Sequence, residues 1–217
     1  YTHYLLLNPD ALLAAGSLDA LARRLCDPRA GLCGATIAEF APPHRVQAFG
    51  GASAGAVLPT GRNIGEGALI GAAPRREAVE RSLAYPLGAA LAFRRDYLET
   101  AGYLDERYFL YFEEFDWTRA GAPRFSPAWA PDALVYHRYG AASKSVRKAG
   151  AASQRSPLAD YHMARSRRLF LEKWRPAATP VALAAAFAQA ATRLARGRMR
   201  NALAVLRGAL PGSPRAY

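Results

Sequence analysis

Short apolar runs punctuated by proline and glycine organise the first two-thirds of this chain. Tyr4-Leu5-Leu6-Leu7 is a continuous apolar run, which predicts a strand buried on both faces, and Asn8-Pro9-Asp10 ends it. Pro9 cannot continue a central ladder, so Asn8 and Asp10 are expected in the loop beyond the strand end, where open α/β sheets bind ligands. Ser17 is placed to cap a helix with Leu18, Leu21 and Leu25 on one face, stopping before Pro28. Leu32 to Ile37 predicts the next strand, and a short strand is expected near Arg45–Phe49. The stretch from Pro42 to Ala73 is rich in Gly, Ala and Pro. Within it, residues 61–67 carry glycines but no following Lys-Ser/Thr and no strand-to-helix context, so they predict an irregular surface loop. Leu83 to Phe93 is a second apolar segment, broken by Pro86-Leu87-Gly88. Arg95 to Ala101 predicts a short helix with Gly102 at its C′ position. Phe112 to Arg119 predicts another, cut short by Gly121-Ala122-Pro123. Ala133 to Tyr136 predicts a last strand, ended by His137. Tyr161 to Trp174 and Ala177 to Ala195 predict two more helices.

Composition adds a size and a charge. With 217 residues, 51% of them hydrophobic, the chain can bury a real core. It opens on Tyr1 already in strand-like sequence, with no charged-then-apolar signal segment, and is expected to be part of a longer chain. Cys26 and Cys33 lack metal-type spacing and are expected to be reduced thiols. Charge is unevenly placed. Residues 1–137 hold 13 Lys/Arg against 15 Asp/Glu, a net of −2, whereas residues 138–217 hold 16 against 2, a net of +14. A near-neutral body with a strongly basic end predicts an anionic partner surface, membrane or nucleic acid. The body itself carries no groove-reading motif, which argues against nucleic acid.

The densest chemistry lies in residues 102–117, where Tyr108 to Phe112 form an aromatic block and Glu113, Glu114 and Asp116 follow at once. Unpaired carboxylates are costly to bury. Such a cluster belongs either at a helix start, where acids favour the positive end of the dipole, or in a functional cleft.

Four motifs in order carry a resemblance: the strand followed by Asn8-Pro9-Asp10; Pro86 to Arg95; Gly102 to Trp117; and Trp129-Ala-Pro-Asp-Ala-Leu-Val-Tyr-His137. Together they resemble glycosyltransferase family 2 in its rhamnosyltransferase-like branch, over residues 1–137 and more weakly over Ser156 to Arg165. The resemblance implies an α/β GT-A fold, a mixed sheet flanked by helices, lacking its first nucleoside-binding units. It implies that Asp10, with Asn8 as a neutral version of the first acid, holds Mg²⁺ or Mn²⁺ at the diphosphate of a nucleotide-sugar donor. Glu114 stands at the position of the catalytic base, where Asp is commoner. Gly88, Ala89 and Ala90 match a small-residue turn that lets a sugar approach the backbone. Asp105, Glu113, Asp116 and Trp117 are implied at or around the substrate. His137 stands where a metal or diphosphate contact is placed, or it is simply a strand-end histidine.

The basic end completes the expectation. Residues 138–160, with Lys144, Arg147 and Lys148, are either a solvated loop or a lid over the diphosphate. Residues 161–217 are expected as a basic amphipathic tail. Leu183, Phe187, Ala190 and Leu194 share one face, Arg193, Arg196 and Arg200 gather on another, and Arg165 adds to the cations, a pattern suited to an anionic leaflet. The function so implied is inverting sugar transfer to a glycan or lipid-linked acceptor, peripheral on the inner face of the cell membrane. Its rivals are an inactive membrane-associated remnant and a basic nucleic-acid-binding protein.

Overall fold

The computed structural model describes residues 1–56, 58–138 and 155–212. The chain divides into two units. The first comprises Tyr1–Gly55, Thr60–Asp105 and Glu114–Tyr139, and the second Ala56–Pro59, Glu106–Glu113 and Gly140–Tyr217.

In the first unit, strands β1 (His3–Leu7), β2 (Ala11–Leu13), β3 (Ala30–Glu39), β4 (Val46–Phe49), β8 (Ala90–Arg94) and β9 (Ser126–His137) form one mixed sheet of order β1-β8-β3-β9-β2, with β4 also on β3. The pair β3 and β9 is parallel; the others are antiparallel. A small second sheet holds β5 (Gly51–Ala54), β6 (Gly61–Asn63) and β7 (Tyr85–Pro86). The expected α/β architecture with a mixed sheet flanked by helices is therefore present.

Alternation along β8 assigns its two faces. Ala90 and Ala92 join Cys33 and Ile37 with Leu21 of α1 (Ser17–Arg24) and Leu25, which caps its end. Leu91 and Phe93 point the other way, onto Tyr97 of α3 (Arg95–Ala101) and Trp117 of α4 (Glu113–Gly121). The Trp117 ring meets those of Phe93 and Tyr97 edge-on at 4.8 and 5.2 Å. A further helix, α2 (Arg76–Ser82), lies in a stretch for which the sequence predicted none.

Three expectations are corrected. The run Tyr4–Leu7 is not buried on both faces, because β1 ends the strand order; Leu6 and Leu7 are 41% and 40% exposed. Ser17 does not cap α1. Gly16 holds that position, and the Ser17 hydroxyl instead donates to Leu134 O and accepts from Leu134 N, at 2.9 and 3.0 Å. Residues 61–63 pair as a strand, β6, where an irregular loop was expected.

The second unit is built on α5 (Pro157–Trp174), α6 (Thr179–Ala195) and α7 (Met199–Ala209). Ser156 caps α5, accepting from Ala159 N, with Pro157 at the first helical position. The shared core is small-residue: Ala164, Ala186, Ala190, Ala202, Val205 and Ala209. Gly208 makes the close crossing of α7 and α5 feasible, since a Cβ there would lie 2.2 Å from Tyr161 O. One acid joins all three helices. The fully buried Asp160 side chain accepts two hydrogen bonds from Arg193, at 3.0 and 3.1 Å, and one from Asn201 at 2.7 Å.

Residues 106–113 belong to this unit as well. Arg165 donates to Arg107 O at 2.6 Å, Ser166 donates to Leu110 O at 2.9 Å, and the Phe112 ring packs on Phe170 at 5.6 Å. No helix among the described residues is long and apolar enough to cross a membrane.

Candidate functional site

The strand order explains how one end of the sheet gathers the chemistry. β1 and β2 lie at opposite ends of that order, yet only Asn8-Pro9-Asp10 joins them. The loop therefore passes over the ends of the intervening strands. Asn8 N donates to Ala89 O at 3.1 Å, just before β8, and Asp10 O accepts from Arg138 N at 3.1 Å, just after β9. Three residues reach at most about 11 Å. The turn before β8 and the end of β9 are thus drawn to one short loop.

At one side of this loop stands Glu114, the second residue of α4. Its Oε1 accepts from Gly88 N at 2.9 Å. Burial pushes its carboxyl above the usual range, opposed by the backbone N–H groups of Glu114 itself and of Gly88. Among the described residues no cation pairs with it. Gly88 is required here by close approach: a Cβ would lie 2.4 Å from Glu114 Oε1. Ahead of α4, Tyr111 and Phe112 hold φ of 67° and 72°. Two consecutive bulky residues in the left-handed region cost about 1–2 kcal/mol each, strain of the kind found at functional sites.

At the other side, Asp10 Oδ1 lies 3.3 Å from His137 Nε2. Gln47, 2% exposed, grips the histidine twice: its Nε2 donates to His137 O at 2.8 Å and its Oε1 faces His137 Nδ1 at 2.9 Å. Because the amide's donor end is committed to the carbonyl, Oε1 must accept, which places the imidazole proton on Nδ1. Burial holds His137 below the ordinary histidine range, with Asp10 opposing. The neutral ring then aims an Nε2 lone pair at a carboxylate oxygen, an arrangement that a cation between them satisfies. No group of three or more His, Cys, Asp or Glu side chains is arranged for a metal among the described residues. A divalent ion held by Asp10 and His137 would take its remaining ligands from phosphate and water, as Mg²⁺ and Mn²⁺ do. Nothing in the sequence marked Gln47, whose role exists only through pairing of distant strands.

The other expected residues are placed differently. Asn8 contributes backbone bonds at the loop, its N to Ala89 O and its O to Ala11 N. Ala89 and Ala90 are core side chains, 6% and 0% exposed, so only their backbone faces the loop. Trp117 is 2% exposed and donates to Gly102 O at 2.7 Å; it is a core anchor, not a substrate contact. Asp116 is buried, and its charge reaches Tyr97, whose hydroxyl donates to Trp117 O at 2.6 Å. Asp105 is half-buried in the loop before the aromatic block, and Glu113 half-buried at the first position of α4. Arg165 and Arg193 are turned inward by their bonds to Arg107 O and Asp160, which corrects their expected anion contact. Arg196 and Arg200 are exposed as expected. Lys144, Arg147 and Lys148, and the lid they were expected to form, lie outside the described residues.

Two open clefts of about 320 and 340 Å³ lie away from this loop, beside α1 and α2. Their walls mix Arg24, Arg76 and Arg81 with Asp27, Glu77 and Glu80. Glu80 accepts from Arg24 and from Trp129 N, which makes this a structural ion network rather than a second site.

A scan against protein-family models matches none, and a search of curated proteins finds no match.

Proposed function

We propose that this chain is the metal- and acceptor-binding part of an inverting GT-A glycosyltransferase, moving a sugar from a nucleoside-diphosphate donor to a glycan or lipid-linked hydroxyl. The observation that carries the reading is a desolvated carboxyl, Glu114, held by a glycine N–H at the sheet end that also holds the Asp10–His137 pair. A hydroxyl is a poor nucleophile until its proton leaves as the new bond forms. A carboxylate with a raised pKa accepts that proton more readily near neutral pH, a contribution of roughly 10²–10⁴-fold. Glu114 takes the acceptor proton, the acceptor oxygen attacks the anomeric carbon from the face opposite the diphosphate, and the configuration inverts. Asp10 and His137 would hold a divalent ion, which when bound would neutralise charge on the departing diphosphate. The Asp10 carboxylate, with phosphate and water oxygens, would suit Mg²⁺ or Mn²⁺.

The test is release of nucleoside diphosphate and of glycoside from a panel of donors and simple sugar acceptors with Mn²⁺. Transfer with inverted anomeric configuration, lost in Glu114→Gln, supports the assignment. Transfer unchanged in that variant overturns it, and silence across the panel favours an inactive remnant. The metal half is checked separately. Gln47→Leu is expected to weaken Mn²⁺ binding about 10–100-fold, by calorimetry or by the free-ion electron spin resonance signal. Gln47→Glu, which keeps an acceptor for Nδ1–H, is expected to recover part of that loss.

A further inference from the structure

The basic amphipathic surface does not lie where helix periodicity alone puts it. On α6 the face of Leu183, Phe187, Ala190 and Leu194 is divided: Ala190 is buried, Leu183 packs against the core, and only Phe187 and Leu194 are exposed, at 53% and 51%. Arg193, from the supposed cationic side, is held by Asp160. α7 is different. Its inward row is Asn201, Ala202, Val205, Gly208 and Ala209. Its outward row is Met199 and Leu203, exposed at 65% and 47%; half-buried Leu206 borders the row against the core, and Leu210, 44% exposed, follows the helix end. Positions 199, 203 and 206 repeat at helical spacing, so they form one stripe. Arg200 and Arg207, seven residues apart, are both exposed and run alongside it, and exposed Arg196 stands just before the helix. No Asp or Glu occurs after Glu172.

We propose that the outward face of α7 docks on an anionic lipid surface, its leucines and Met199 entering the interface and Arg196, Arg200 and Arg207 meeting the headgroups. Charge decides the occupant. A second copy seated on the same face would bring two sets of arginines together without an acid to balance them. A leaflet of acidic headgroups supplies that balance. The inference concerns the helical unit alone and does not depend on sugar transfer.

Flotation of the full chain with phosphatidylcholine vesicles, with and without phosphatidylglycerol, tests it at physiological salt. Binding is expected only with phosphatidylglycerol and is expected to fall as salt rises. Leu203→Asn is expected to weaken it about tenfold, and Arg200→Ala with Arg207→Ala on the order of 30-fold. Helical circular dichroism should be unchanged, since all three side chains are exposed. Equal binding to both vesicle types, or binding indifferent to both variants, overturns the proposal. So does a dimer seen by light scattering that Leu203→Asn dissociates while vesicles remain unbound.

Discussion

Two carboxyls, one in each unit, are treated in opposite ways. Asp160, in the helical unit, receives a two-point Arg193 contact and the Asn201 amide, so its charge is matched and its lone pairs are occupied. Glu114, in the sheet unit, receives backbone N–H groups and, among the described residues, no cation, and its proton affinity rises. Burial alone therefore does not mark a reactive acid. The partners do: a carboxyl surrounded by matched charge is a structural joint, whereas one left short of positive charge is poised to take a proton.

The contrast can be broken from either side. The largest effect is expected at Glu114, where Gln should lower sugar transfer by roughly 10²–10⁴-fold without lowering stability. The sign follows from linkage. A carboxyl whose folded pKa is raised contributes its full stability only below the unfolded value, and that contribution is lost as pH rises towards the folded one. Glu114→Gln is thus expected to unfold at or above the wild-type temperature at neutral pH, with the gap closing at acid pH. At Asp160 the order reverses. Asp160→Ala leaves the Arg193 guanidinium buried and unmatched, at a cost of about 3–5 kcal/mol by urea titration. Asp160→Leu combined with Arg193→Met is expected to restore much of that loss. Gly88→Ala separates position from chemistry. Its new Cβ displaces the end of a flexible side chain, so the melting temperature should move little. Transfer should still fall on the order of 10²-fold, because the carboxyl is moved by a fraction of its own size. A Gly88→Ala variant with full activity would mean that the 2.9 Å bond has no part in the reaction.

Where a local signal sufficed, the sequence was legible. Arg95–Ala101 forms the helix that its composition and Gly102 predict, and Gly102 has the positive φ, 74°, that ends it. The loop at Asn8-Pro9-Asp10 lies where Pro9 requires it. Ser17 misled because its hydroxyl found a backbone partner 117 residues away. Trp117 and Asp116 resembled site residues through their neighbours, but the turn of α4 that aims Glu114 at Gly88 carries positions 115 to 118 into the core. Arg193 on α6 and Arg196 just past its end are three apart and looked equivalent; the single acid Asp160 makes one of them internal. Gln47 was invisible because its meaning depends on β9 lying beside β3 and not on any neighbour in the chain.

The position of β1 bears on how the protein behaves in a tube. Among the described residues this strand pairs only with β8, and its free side carries backbone donors and acceptors next to leucines that face water. Such an edge is a template on which another extended segment can stack, so concentrated samples are prone to associate strand to strand. A lysine at Leu6 would place a charge on that edge without entering the core, and would keep the chain dispersed for spectroscopy and crystal growth.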